Sequence, residues 1–398
     1  MPYLVLITIL IIFSLLDIYY LKSKKSKKNM MIFLGIIYIF FFGLRGFIGW
    51  DWISYFPNFN FSLNLIEVIL SGNYSFNVSN SYDIGYKIYV AFIKCFTNNY
   101  HTFIFITTIV DYFLLSICFM RYSPYPVLSL LLFLTYSGYQ IQYSLLRNIK
   151  AILLFFFSIY YLEKNRKIIV TCLFFLEILF HSSSVVYLPL YFILKRNLLK
   201  YKKVISILVL IGSIVFVTQN QIILKFLYFL ENSKLNIFLP DILVIKLSRY
   251  LGREMFLVNK GIGLAVIERF FLFFLIIKNN KKLLKLKYGK IFANMWILLF
   301  FLYLYTNDVR IIQERFSLLI ICSYWTIYPI ILKLYKGKIK LLLVLIILSY
   351  SSLKLYRSLN ENMKSYPLMK YENILFDSKS FEEKKMIYLE VEKKYIDK

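Results

Sequence analysis

The chain has 398 residues, 60% of them hydrophobic, with a formal net charge of +27 and a mean hydropathy of +0.65. A soluble domain is about half apolar; the long apolar runs here have no polar face, which excludes a water-soluble fold and calls for a bilayer, where helices satisfy their own backbone. The cations sit in short clusters between apolar runs and not on one basic face, which excludes a nucleic-acid partner and makes the clusters topology signals and contacts for anionic membrane lipids.

In chain order, Met1–Leu21 reads as a retained first helix, not a leader: no basic stretch precedes it and no A-x-A site follows. The run Lys22-Ser-Lys-Lys-Ser-Lys-Lys28 comes after it, so the N-terminus is expected outside. Further helices are expected near 30–48, 101–120, 126–139, 147–162, 168–180, 183–194, 204–220, 260–277, 291–306, 316–332 and 341–356. The expected fold class is all-α: a polytopic integral membrane protein of about twelve transmembrane helices. Spanning takes ~20 apolar residues, and several runs are shorter, so short or re-entrant helices are expected around an outward-facing cavity. The stretch 84–97 reads as re-entrant or interfacial. Loops assigned to the cytoplasm hold half of the chain's 48 Lys and Arg, as the positive-inside rule requires. Two short helices meeting near His181 keep both 163–167 and 195–203 on that side. Large outer loops are expected at 49–83 and 221–259, the second with a surface-lying amphipathic helix over 242–253. Residues 1–356 read as one membrane domain and 357–398 as a polar tail.

Cys95, Cys118, Cys172 and Cys322 lie in apolar segments without a CxxC pair. The chain has two histidines, so no multi-histidine metal centre is expected. An ionisable side chain in a membrane is costly and marks a candidate site. Arg45 lies in Gly43-Leu-Arg-Gly-Phe-Ile-Gly-Trp-Asp51, whose glycines permit tight turns or close ligand approach. Asp51 and Tyr55 follow. The plain alternative is an interfacial Arg–Asp pair in an aromatic belt of Trp50 and Trp52. Asp83, in Asp83-Ile-Gly-Tyr86, fits a site or simply a helix N-cap. Arg147 begins a helix beside Asn148 and Lys150; its guanidinium suits phosphate oxygens, or it snorkels to the interface. His181, in Leu179-Phe-His-Ser-Ser-Ser-Val185, is a candidate for proton transfer or a histidine satisfied in a helix turn; no G-x-S-x-G elbow accompanies the serines. Arg310 and Arg315 occupy the last outer turn, with Asp308 and Glu314 as neutralising neighbours. On this topology these residues, with Arg249, all fall at or just below the outer face, where they form a clamp for an anionic lipid-linked substrate.

Three blocks resemble the EpsG family of polysaccharide-biosynthesis membrane proteins, relatives of Wzy-type polymerases. They are Leu44-Arg-Gly-Phe-Ile-Gly-Trp-Asp-Trp-Ile-Ser-Tyr55, Asp83-Ile-Gly-Tyr-Lys87, and the stretch from Leu146-Arg-Asn to Phe180-His-Ser-Ser-Ser-Val-Val-Tyr-Leu-Pro189. The resemblance covers roughly residues 1–200, with a weaker echo at Tyr366-Pro367 and Tyr371-Glu-Asn373. Asn148 stands where the family carries glutamine, and Asp51 has tryptophan on both sides. The resemblance implies a glycosyltransferase: a polymerase that joins polyprenyl-diphosphate-linked oligosaccharide repeats into capsular or exopolysaccharide at the outer face. Arg147, then Arg45 and Arg315, are expected at the leaving diphosphate, and Asp51, then His181, as the base. Tyr55, Asp83, Tyr86, Asn148 and Arg310 complete the expected substrate contacts. No cofactor or metal is expected. The expected partners are the lipid-linked oligosaccharide and membrane lipids, with a chain-length regulator as a candidate protein partner. The alternatives are a flippase of the same lipid-linked unit, which commonly shows internal repeats not visible here, and a membrane O-acyltransferase using His181.

Overall fold

The apolar runs become helices, and small polar residues fix the starts of some of them. Ser23 starts the second helix by accepting from the Ser26 N–H at 3.0 Å, and Asn99 caps the central helix through the Thr102 N–H at 3.0 Å; each satisfies one of the orphan donors of a helix start. In the computed structural model, residues 2–77, 82–219, 221–232, 261–360 and 366–396 are described. They form about 20 helices. Among the described residues there is no strand, and the isolated bridges are Arg45–Asn373 and Asn373–Asp377.

Five helices among the described residues are long and apolar enough to cross a membrane: Pro2–Tyr19, Lys24–Gly43, Tyr100–Tyr122, Leu198–Thr218 and Gly337–Arg357; the pair Ile312–Leu319 and Cys322–Lys333, bent by 57°, is either a broken sixth span or a re-entrant loop. The chain is thus a multi-pass membrane protein by helix length and composition. The described residues do not show the expected count of about twelve, for physical reasons. The helix Leu146–Glu163 carries Arg147, Lys150 and Glu163. The run at 126–139 breaks at Tyr136 and Ser137, with Ser137 at φ 69°. Lys167–Phe180 has 14 residues, a rise of ~21 Å against a hydrocarbon core of ~30 Å.

The chain divides into two compact units, residues 1–191 with 324–398, and residues 192–323. In the first unit, α1 (Pro2–Tyr19) packs on α7 (Pro126–Phe133), and α6 (Tyr100–Tyr122) touches α2 (Lys24–Tyr38), α7 and α9 (Leu146–Glu163). Helix α10 (Lys167–Phe180) packs along α9 and against α5 (Ile84–Lys94). It stops at His181, and a 3-10 turn, Ser182–Val186, leads into α11 (Tyr187–Ile193), matching the expected break.

This unit has two chemically different ends. At one, Lys27 pairs with Asp17 at 3.0 Å, the Val127 N–H donates to Asp17 at 2.9 Å, and Lys340 donates to the Ile18 carbonyl and the Tyr125 hydroxyl. At the other, Tyr3 donates to the Met369 carbonyl at 3.1 Å and packs edge-on against Phe41 and Tyr371. The 23 residues of α6 rise ~35 Å, enough to separate two membrane faces.

The expected loop at 49–83 contains α3 (Trp52–Phe61) and α4 (Leu65–Ser71), the latter held by an Asn64–Glu67 capping box. The expected tail is also folded: short α20 (Tyr366–Met369) and α21 (Phe381–Ile396) follow α19 (Gly337–Asn360).

The second unit contains α12 (Lys202–Thr218), α13 (Ile222–Asn232), α14 (Leu264–Lys278), short α15 (Asn280–Lys285), α16 (Gly289–Tyr305) and α17 (Arg310–Leu319). Phe216 stacks on Tyr303 at 5.3 Å, and Asn294 donates to the Leu194 and Arg196 carbonyls. The next helix in the chain is α18 (Cys322–Lys333). Exposed Val204, Ile207, Ile211 and Ile214 on α12 suit contact with lipid. The segment expected as an outer turn around Arg310 and Arg315 is helical, because its residues continue directly into an apolar turn; Arg315 is exposed on α17. The Arg310 side chain, Arg249 and the surface helix expected over 242–253 lie outside the described residues.

Candidate active site

Asp83 holds the N-cap position of α5, yet its carboxylate makes no capping bond to that helix. It reaches across to two other segments. Its Oδ2 lies 3.2 Å from Arg147 Nη1 and 3.7 Å from His181 Nδ1, and its Oδ1 accepts the Ser182 N–H at 3.2 Å. The start of α5, the start of α9 and the break after α10 therefore converge on one carboxylate. The N-cap reading of Asp83 does not describe its side chain, and Arg147 is partnered instead of snorkelling.

The local sequence explains the approach. A Cβ on Gly85 would lie 2.8 Å from the Leu179 carbonyl oxygen, so only glycine lets the first turn of α5 meet the end of α10 this closely. His181 leaves the helix in an extended conformation, φ −155° and ψ 110°, which carries its ring toward Asp83.

Tyrosines wall the cluster. The Arg147 guanidinium lies 4.9 Å from the Tyr82 ring centre, a cation–π distance. Tyr82 stacks on buried Tyr86 at 5.7 Å, and Tyr55 of α3 packs on both. Burial raises the Tyr55 hydroxyl, Arg147 pulls it back and Asp51 pushes it further, leaving it at about 12. Tyr55 is thus protonated at neutral pH and senses both charges. Burial also pushes the Asp83 carboxyl up, but the neighbouring His181 ring, the Arg147 charge and the Ser182 N–H hold it below its ordinary value. It is an anion at neutral pH.

Asp51 stands at the N-terminus of α3, one turn before Tyr55. Asn148 follows Arg147 in the first turn of α9 and is half-buried. Arg45 is placed differently. It is 3% exposed and donates to the Phe42 and Gln142 carbonyls at 2.6 and 2.9 Å, so its terminal nitrogens hold the turn after α2. Arg315 belongs to the other unit. A cavity of about 500 Å³ there is lined by Phe216, Val266, Phe270 and Leu304 and does not include the Asp83 cluster. Among the described residues, no three His, Cys, Asp or Glu side chains gather as a metal set.

Sequence reading missed a second polar group. Lys150, one turn after Arg147, pairs with buried Asp111 of α6, and the Gln142 amide reaches Asp111 and Thr108. Tyr38 donates to Gln142 at 3.1 Å. The available signal was a lone aspartate in a long apolar run, which a membrane tolerates only with a partner. Glu177, one turn before His181, was also missed; it is buried and accepts from Tyr191 at 2.7 Å.

The family model described as EpsG family matches residues 28–373. The chain belongs to the EpsG family. This makes it a membrane protein of polysaccharide biosynthesis. The match runs well beyond the first 200 residues of the initial resemblance and takes in all of the Asp83 cluster. Comparison with curated proteins and with solved structures returned no match.

Proposed function

We propose that this EpsG-family protein is a polysaccharide polymerase acting at the outer membrane face, where it joins oligosaccharide repeats carried on polyprenyl diphosphate. The observation that carries the reading is the Asp83 carboxylate shared by Arg147 and His181. It places a fixed cation and a proton acceptor side by side, which glycosyl transfer from a diphosphate needs.

In this reading a hydroxyl oxygen of the acceptor sugar attacks the anomeric carbon of the donor chain. The bond from that carbon to the diphosphate oxygen breaks, and polyprenyl diphosphate leaves with the electron pair. Arg147 offers its planar fork to the leaving diphosphate, a preorganised cation at developing charge. His181 takes the hydroxyl proton, with the Asp83 carboxylate beside its ring. Tyr55 keeps its proton at neutral pH and donates it in a hydrogen bond to substrate. Asp51 binds the acceptor, and Tyr86 and Asn148 complete the wall. Arg45 holds the turn that presents Asp51.

The test is cellular. Arg147→Ala or His181→Ala should leave single repeat units at the outer face and remove long surface polymer. Long polymer at a normal protein level overturns the reading, and repeat units accumulating at the inner face favour a flippase.

A further inference from the structure

The C-terminal segment packs on the loop that carries Asp51 and Tyr55. Phe381 stacks on Phe56 of α3 at 4.5 Å and 22° and meets Phe47 and Trp52 edge-on. Tyr388, two turns later, lies edge-on to Trp50 at 5.7 Å. Between them Lys384 is completely buried; it pairs with Glu372 at 2.7 Å and donates to the Pro367 carbonyl at 3.1 Å. The main chain joins too: Gly46 N–H to Glu372 O at 3.0 Å, Gly49 N–H to Leu368 O at 3.0 Å, and Ile374 N–H to Leu44 O at 2.8 Å.

A surface tail makes no such contacts. A fully buried lysine must keep its partner, since removing one member strands the other charge in a low dielectric. The Lys384–Glu372 pair therefore fixes the register of the segment against residues 44–49, while the aromatic stack fixes α3. Tyr55 and Asp51 ride on α3, and misplacing a reacting group by ~1 Å costs ~100-fold in rate.

We propose that the segment 366–396 is a clamp belonging to the active-site face of the membrane, and that Phe381 and the Lys384–Glu372 pair are positioning residues for α3. The side assignment stands alone; the positioning role rests on the polymerase reading.

Two measurements test this. In a chain with Cys95→Ser and Cys172→Ser, Met386→Cys, at a position 61% exposed, is treated in intact cells with a membrane-impermeant maleimide, in parallel with Ser183→Cys in the His181 turn. Both should label from the same side; labelling from opposite sides overturns the clamp. Purified protein is then given lipid-linked repeat units. Phe381→Ala and Lys384→Met should lower kcat about tenfold, a fraction of the full misplacement effect, with KM within about twofold. Phe381→Tyr should restore kcat, and Glu383→Gln should match the parent. Unchanged kcat in both variants, or a rise that marks a lid, overturns the positioning role. If Phe381→Ala does not reach the membrane, Phe381→Leu takes its place. Loss of activity in Arg147→Ala beside full activity in Phe381→Ala removes only the clamp, whereas full activity in Arg147→Ala removes the polymerase reading while the labelling result stands.

Discussion

Asp83 Oδ2 lies 3.2 Å from Arg147 Nη1, although 64 positions separate the two residues in the chain. The pair joins the first turns of α5 and α9 and leaves the guanidinium against Tyr82, so the arginine is held before any substrate arrives. Preorganisation of this kind is what a cation at a developing charge requires.

Arg147→Lys should fail to restore what Arg147→Ala loses. A lysine keeps the charge but not the planar fork, which here serves Asp83 on one side and the Tyr82 face on the other. Surface polymer length in cells complemented with each variant is the measurement. Wild-type length with lysine shows that charge alone suffices.

Asp83→Asn should cost stability in a pH-dependent way. The folded carboxyl titrates below its ordinary value of 3.8, so the folded state binds fewer protons than the unfolded one. Its contribution is present above that ordinary value and fades as pH falls through the folded value. The melting temperature of detergent-purified parent should exceed that of Asp83→Asn from neutral pH down to mild acid, and the gap should close at lower pH. A gap independent of pH refutes the charge argument.

Gly85→Ala places a methyl group against the Leu179 carbonyl, a contact of 2.8 Å before relaxation. Overpacking of this size costs about 1–3 kcal/mol. The same shift withdraws Asp83 from His181, so polymer length should fall more than protein level. Gly72→Ala is the control for a change of residue without crowding, since nothing lies within 4 Å of that position, although its φ of +64° adds local strain.

The buried Asp111–Lys150 pair should be intolerant of single neutralisation. Breaking a buried ion pair from one side costs about 3–5 kcal/mol, whereas Asp111→Leu with Lys150→Leu together should recover most of it. Thermal unfolding of the purified variants decides this. Additive losses in the double variant show that the pair is not coupled.

Ser54→Cys and Ser183→Cys, both at exposed positions, should label from the same face of the membrane. They flank Tyr55 and His181, which meet across Arg147 and Asp83. Labelling from opposite faces would break the shared site.

Much of this was legible in the linear chain because the bilayer imposes simple rules. Apolar run length set the all-α class. The helix break at His181 followed from keeping two basic loops together. The individual motifs were visible as well, since Asp83, Arg147 and His181 are polar residues in apolar surroundings.

Their roles were not legible, because a side chain's partner depends on which segments meet. The N-cap position of Asp83 is a local property, while its bonds to Arg147 and Ser182 are tertiary. Arg45 is legible as a polar residue at a turn, but that its terminal nitrogens sit on main-chain carbonyls is tertiary. The tail looked polar because its charges are mixed; only the tertiary packing shows that Lys384 is buried and Phe381 stacked. Hydropathy and charge sort a chain between lipid and water, which the sequence by itself determines. Which carboxylate meets which cation depends on helix crossings and on missing side chains such as that of Gly85, and only the tertiary structure decides that.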